Sequence, residues 1–241
     1  MNCRILLIET ATDVCSAALT DGERVIAAQC ITEPRRQASD LAPAIKEVLT
    51  QASITAKELA AVAVSSGPGS YTGLRVGVST AKGICLGAGI PLIAVDTLSV
   101  LARKTAGKPE VQDALIIPMI DARRMEVYTA LFGPDGKRLS DIKAVILEPD
   151  TFASEFSSHS RIIFTGDGAA KYENILPEAF RSRAVFLPSH PDAADMAVPA
   201  FAALKEKRFE DTAYFEPFYL KEFIAADPSR KIEAVLHPKN L

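Results

Sequence analysis

Three short apolar runs open the chain, over residues 4–8, 15–19 and 24–30, separated by polar breaks. Thr-Asp fills the first gap and Asp21-Gly22 the second. An Asp-Gly pair between two such runs is a hairpin signal, so the pattern predicts an antiparallel β-turn-β-turn-β meander. The apolar spacing then changes. Leu41, Ile45, Val48 and Leu49 recur every three or four positions, one face of a helix over 39–52. Ser39 or Asp40 can cap it, and Pro43 falls in the expected first turn, where its missing N–H is harmless. A turn at 56–59 leads to a buried strand over 60–65. Gly67-Pro68-Gly69-Ser70 breaks the chain, and 72–87 reads as a helix rich in Gly and Ala. A strand over 91–95 and a short helix over 97–104 complete this first unit.

The segment Ala106-Gly107-Lys108-Pro109 reads as a linker, and a similar pattern follows it. Strands are predicted over 114–120, 125–132 and 142–147, with Pro134-Asp135-Gly136 as the turn between the second and third. A helix over 150–156, a strand over 161–165 and the turn Gly166-Asp167-Gly168 come next. A last helix spans 193–206, with its start blurred by Pro199. The tail from Asp227 is polar and reads as loose. Meander, helix, strand, helix, then a meander again is a duplication of pattern without identity. It points to a mixed-sheet α/β fold in two related halves around a cleft. The expected units are 1–106, 107–225, whose last helix could return to the first, and a tail over 226–241.

Composition narrows the class. The 241 residues are 48% hydrophobic and 24% charged, as in a globular protein. The net charge of −3 excludes a global attraction for phosphate backbones but leaves room for a local basic patch. No run approaches the ~20 apolar residues of a bilayer span. Glu9 and Asp13 interrupt the opening apolar run, so no secretory signal is expected and the chain reads as soluble and cytoplasmic. Cysteines 3, 15, 30 and 85 form no CxxC pair and read as small buried residues in a reducing compartment. His159, His190 and His237 form no metal-binding spacing and read as exposed loop residues.

The densest chemical signal is Ser65-Ser66-Gly67-Pro68-Gly69-Ser70-Tyr71-Thr72-Gly73-Leu74-Arg75. A glycine turn before a helix can turn its N–H groups to an anion. Thr10, Thr12, Gly67, Gly69, Ser70, Thr72 and Gly73 are the phosphate-loop-like candidates. The stretch is neither GxxxxGK[ST] nor GxGxxG, and on spacing alone an unliganded turn is favoured. Glu9-Thr10-Ala11-Thr12-Asp13 could hold a metal-bound phosphate, though an ordinary polar turn suffices. Gly166-Asp167-Gly168 could hold a ribose or adenine, or only turn the chain. Arg123-Arg124 stands where a nucleotide-binding fold would place two glycines. The pair could bind an anion or be a solvated turn. In the Gly/Ala helix, Gly73, Gly77, Leu74, Val78, Ala81 and Cys85 present a small-residue face. That face packs either on the chain's own sheet or, with Leu41, Ile45, Val48 and Leu49, on a partner protein. No nucleophile–base arrangement is legible, so no catalytic residue and no metal ligand is assigned.

Residues 5–12, 65–77, 91–98, Gly166-Asp167-Gly168-Ala169 and Pro217-Phe218-Tyr219-Leu220 resemble the TsaB (YeaZ) family, and the likeness covers most of 1–220. The resemblance implies an actin-like fold, that of sugar kinases and heat-shock ATPases, with two related subdomains. It implies a non-catalytic scaffold or activator that pairs with TsaD and TsaE to make threonylcarbamoyladenosine at position 37 of tRNAs reading ANN codons. ATP and metal would then belong to the partners, with no cofactor of the chain's own, and tRNA would be met through the complex. The HxxxH metal motif of TsaD falls on Thr97 and Leu101, and its glycine pair near Arg123-Arg124. The helices over 39–52 and 72–87 would contact TsaD, or form a homodimer in its absence. Gln37 stands where many relatives carry His. The alternative is an actin-like-fold enzyme, an ATP-dependent phosphotransferase or a metallopeptidase.

Overall fold

The computed structural model describes residues 3–34, 36–106 and 108–220. Arg35, Gly107, His237 and the expected tail over 226–241 lie outside the described residues. The chain forms β1 (Arg4–Glu9), β2 (Cys15–Asp21), β3 (Arg24–Ile31), α1 (Gln37–Gln51), β4 (Ala61–Gly67), α2 (Tyr71–Ala88), β5 (Leu92–Asp96) and α3 (Thr97–Thr105). The second half is β6 (Leu115–Asp121), β7 (Glu126–Thr129), β8 (Lys143–Ile146), α4 (Ala153–Ser158), β9 (Ile162–Thr165), α5 (Ala169–Glu173), α6 (Glu178–Arg181), β10 (Ala184–Leu187) and α7 (Ala197–Glu206).

Two five-stranded sheets share one topology. The first runs β3-β2-β1-β4-β5 and the second, read from its other edge, β8-β7-β6-β9-β10. In each, the first three strands are antiparallel and the last two join the central strand in parallel. The duplicated order, with helices on the sheet faces, is the actin-like α/β fold. The pattern along the chain missed β10, the edge strand of the second sheet. Its four residues are each half-buried, too short and too mixed to stand out from a loop.

Strands β1 and β4 are buried on both faces, which is why they read as continuous apolar runs. Leu6 and Ile8 face α1 and α2, packing with Leu41, Val48, Val78 and Cys85. Ile5 and Leu7 face the other way, onto Val100, Met196, Ala200 and Leu204. The last helix, α7, therefore sits on the first sheet. Meanwhile α3, which follows the first sheet, places Leu98, Leu101 and Ala102 on the second, against Ile116, Phe132 and Ile163. Each half lends a helix to the other's core, so a cut at 106 crosses packed structure.

Several boundaries moved for local reasons. Helix α1 begins at Gln37 with Arg36 before it, and neither Ser39 nor Asp40 caps it. Asp40 instead accepts 2.8 and 3.0 Å bonds from the Arg36 guanidinium. Pro43 thus lies beyond the first turn. The predicted helix over 193–206 divides into a 3₁₀ turn, Ala193–Met196, and α7, whose first turn holds Pro199. Cys15 and Cys85 are buried as expected, but Cys3 is half-buried and Cys30 exposed. Cys30 lies on β3, an edge strand largely open to solvent. His190 is exposed, whereas His159 is half-buried at the end of α4, its Nδ1 3.2 Å from the Glu155 carbonyl.

The outer face of the second sheet is aromatic: Phe152, Phe156, Tyr172 and Phe186 all lie within 5.1–6.1 Å, centroid to centroid, of Phe164. Phe164 is fully buried. Phe164→Ala should cost about 3–5 kcal/mol, read as a lower urea midpoint with an unchanged denaturant slope.

Candidate functional site

The two halves face one another across a cleft of about 920 Å³. One wall is the β1–β2 turn and the start of α2. The opposite wall is Ile120 to Arg123, Tyr128 and Asp167, and Phe218 to Leu220 close the mouth. Of the phosphate-loop-like residues, Thr12, Gly69, Ser70, Thr72 and Gly73 line this cleft. Thr10 and Gly67 are not part of its lining.

The glycines of this stretch bring α2 close to the β1–β2 turn. A Cβ on Gly69 would lie 2.3 Å from the Ala11 carbonyl oxygen. On Gly73 it would lie 2.1 Å from the Thr10 carbonyl oxygen, and on Gly77 2.2 Å from Thr10 Oγ1. Their lack of side chains lets α2 press directly against the β1–β2 turn. Ser70 N–H donates to the Ala11 carbonyl at 2.6 Å. Ser70 Oγ caps α2 by accepting from Gly73 N–H. Gly67 adopts φ +107°, with the Phe218 carbonyl where a Cβ would be crowded. The Gly67-Pro68 peptide is cis. The second half repeats the device. Gly166, at φ +102°, lets its backbone approach the Met119 carbonyl, where a Cβ would meet oxygen at 2.2 Å. Gly168 N–H donates to that same oxygen at 3.0 Å. Gly166-Asp167-Gly168 is the counterpart of Gly67-Pro68-Gly69.

Gln37 is buried and donates from Nε2 to the Thr12 carbonyl at 2.7 Å. It ties α1 to the turn that α2 grips. Beneath lies Glu9, fully buried at the end of β1. Its Oε1 accepts from Ala11 N–H at 2.6 Å, while Oε2 has no hydrogen-bond partner among the described residues. Burial pushes its carboxyl up to about 7, against the smaller opposing pull of its hydrogen bonds. Thr10 Oγ1, Thr12 Oγ1 and Thr97 Oγ1 are also buried without hydrogen-bond partners among the described residues. In the far wall Asp121 pairs with Lys171 at 2.7 Å, and Asp167 accepts from Asp121 N–H at 3.0 Å. Burial raises the Asp167 carboxyl. The hairpin tip between β6 and β7 holds Arg123 at φ +69° and Arg124 at φ +50°, both exposed. Side chains rarely adopt this region, at roughly 1–2 kcal/mol per residue. The glycine-like backbone is thus kept while arginines occupy it. Among the described residues no group of His, Cys, Asp and Glu could hold a metal ion. No described helix is long and apolar enough to cross a membrane.

The anticipated partner face needs correction. Leu41, Ile45, Val48, Leu74, Val78, Ala81 and Cys85 are at most 6% exposed, inside the chain's own core, as are Gly73 and Gly77. The spacing that marks a helix face cannot say which surface covers it. Of that set only Leu49 is half-exposed. The outward faces of α1 and α2 carry a shallow apolar groove of about 430 Å³ lined by Ala42, Ile45, Leu49, Ile54, Thr80 and Ile84. Beside it Gly83 and Gly87 are exposed, with none of the described residues within 4 Å of a Cβ placed on either, and Leu86 is 69% exposed.

Fold and cleft together define a two-lobed actin-like protein whose lobes meet around an interlobe cleft. Comparison with known proteins makes this specific. The family described as TsaD, tRNA N6-adenosine threonylcarbamoyltransferase, matches residues 33–227. The tRNA threonylcarbamoyladenosine biosynthesis protein TsaB of Escherichia coli K12 is 31% identical over 229 residues, 92% of this chain and 96% of that protein. TsaB of Bacillus subtilis is 36% identical over 128 residues, covering 53% of this chain and 54% of that protein. YeaZ from Pseudomonas aeruginosa superposes with a TM-score of 0.76 at 24% identity, over 91% of this chain and all of that one. The chain belongs to the TsaB (YeaZ) family, within the broader TsaD-type family.

Glu9 binds its proton more tightly folded than unfolded, so stability should fall as pH rises from about 4.5 to about 7. The full effect is about 3 kcal/mol. Glu9→Gln should flatten that fall, measured as urea midpoints from acid to neutral pH in both proteins. The double change Arg123→Gly with Arg124→Gly should leave stability within about 1 kcal/mol of the parent or above it, because relief of the left-handed strain offsets the added chain entropy. Thermal melts check this.

Proposed function

We propose that the chain is a non-catalytic subunit that pairs with TsaD, and with TsaE joining them, for threonylcarbamoylation of adenosine 37 in tRNAs reading ANN codons. The observation that carries the reading is the groove on the outward faces of α1 and α2, continuous with the bare backbone at Gly83 and Gly87. Such a strip of small and apolar residues accepts the close approach of another helix. Family membership supports the same assignment: the relatives named TsaB are described as tRNA threonylcarbamoyladenosine biosynthesis proteins.

Two further features support a role without chemistry of its own. Thr97 and Leu101, the positions where the metal motif of TsaD falls, are both fully buried. Thr97 opens α3 and Leu101 packs on the second sheet. Neither an alcohol under the sheet nor an aliphatic side chain supplies imidazole nitrogen to a metal. The glycines that would cradle a phosphate are in contact with the chain's own turn. ATP and metal then enter with the partner subunits, and in the absence of TsaD the same groove serves a homodimer. The cytoplasm, where tRNA is modified, is the compartment in keeping with this reading.

Reconstitution tests it. This chain is mixed with the matching TsaD and TsaE, unmodified tRNA, ATP and the threonylcarbamoyl-adenylate supply, and modified adenosine is counted with and without it. Modification should require the chain, and the chain alone should hydrolyse no ATP. Gly83→Arg with Leu86→Asp, both on the open face of α2, should weaken pairing with TsaD by about tenfold or more while the far-ultraviolet circular dichroism stays unchanged. Undiminished modification when the chain is omitted would end the scaffold reading.

A further inference from the structure

The mouth of the cleft brings together two kinds of group from distant parts of the chain. On one side the Tyr71 ring lies 5.1 Å from that of Tyr219, centroid to centroid, and the Arg75 guanidinium sits 4.5 Å over Tyr71. The three planar groups form a tilted, partly exposed platform at the start of α2, with Phe218 beside it at 49% exposure. On the other side stands the hairpin tip with Arg123, which lines the cleft, and Arg124. Neither guanidinium has an ion-pair partner among the described residues. Both residues hold left-handed backbone conformations that long side chains enter at a cost. Nothing in the packing needs arginine there, since both side chains are exposed.

We propose that this mouth is a contact surface for single-stranded RNA, with a phosphate held by Arg123 and Arg124 and an unpaired base laid on Tyr71 and Tyr219. The proposal rests on the reading above, in which the chain works beside TsaD on tRNA, and assigns it a direct share of the tRNA contact. Guanidinium groups match phosphate oxygens in pairs, and exposed aromatic faces stack bases without regard to sequence. A duplex offers no free base face, so a loop is the fitting partner. Of the acidic residues of the cleft, Asp121 is paired with Lys171, while Asp167, held by the Asp121 N–H, and Asp13 have no ion-pair partner among the described residues and limit the anion contact to the arginine tip. With a net charge of −3 the chain supplies a local contact, read on the free chain only at low salt and within the complex at higher salt.

The test is a titration of a fluorescent anticodon stem-loop RNA with the complex of this chain and TsaD. Arg123→Gly with Arg124→Gly keeps the backbone of the hairpin tip, and should weaken binding about tenfold and reduce the salt slope by about 1–2. Tyr219→Ala should weaken it about fivefold or more at an unchanged slope. Wild-type affinity in both variants, in complexes that assemble normally, overturns the proposal and leaves the pairing reading standing. A wild-type chain that fails to assemble with TsaD overturns the pairing reading instead. The RNA contact is then decided on the free chain at about 50 mM salt, where the same variants must weaken binding for it to stand, and equal binding or no binding by the wild-type chain refutes it.

Discussion

The backbone of the β1–β2 turn lies in direct contact with the start of α2, and the geometry of the first lobe follows from that contact. Gly69, Gly73 and Gly77 leave no room for a Cβ against Ala11 and Thr10. The approach fixes where α2 crosses the sheet. It therefore fixes which residues of α2 turn inward to Leu6 and Ile8 and which turn outward to solvent. Gln37 fastens α1 to the same turn. The wall of the cleft, the buried carboxyl of Glu9 and the outward groove are all consequences of one close backbone contact.

The second lobe repeats the arrangement at Gly166 and Gly168 against Met119, with less helix to support. Where α2 runs 18 residues, its counterpart α5 has five. The stabilisation that a long helix gives the first lobe is supplied in the second by the aromatic cluster around Phe164. The lobes are joined by exchanged helices, α3 packing forward and α7 packing back. Lys82 adds a tether, donating to the Ala213 and Phe215 carbonyls at 3.0 Å each, and the Phe218 N–H donates to the Ser66 carbonyl at 2.7 Å. These bonds carry the chain along α2 to the cleft mouth, so Tyr219 meets Tyr71 across 148 positions.

Helix α2 borders two separate surfaces. Its N-terminal end lines the cleft, and its outward C-terminal half lines the apolar groove it shares with α1. The glycines mark the division. Gly73 and Gly77 are crowded by the chain itself, while Gly83 and Gly87 meet none of the described residues. Fours in a row of small residues look alike in sequence, yet one pair closes the fold and the other leaves backbone open.

The meanders, the two principal helices and the duplication were legible in the sequence, because strand and helix periodicities are properties of neighbouring residues. The turns at Gly22 and Gly136 were legible for the same reason, since a positive φ there selects glycine locally. The short half-buried β10 was not, because a four-residue edge strand has no period to read. The cleft lining was visible only in part: Gly69, Ser70, Thr72 and Gly73 lie in one stretch, but Thr12, Arg123, Asp167 and Tyr219 reach the same space from afar. The sequence by itself determined the periodicities, the turns and the family. Tertiary structure alone decided that Leu41, Leu74 and Val78 face inward, that Gly69 and Gly73 seat α2 against the backbone of the β1–β2 turn, and that Glu9 is buried. Burial and contact depend on which surfaces meet across long separations, and no residue's neighbours in the chain carry that information.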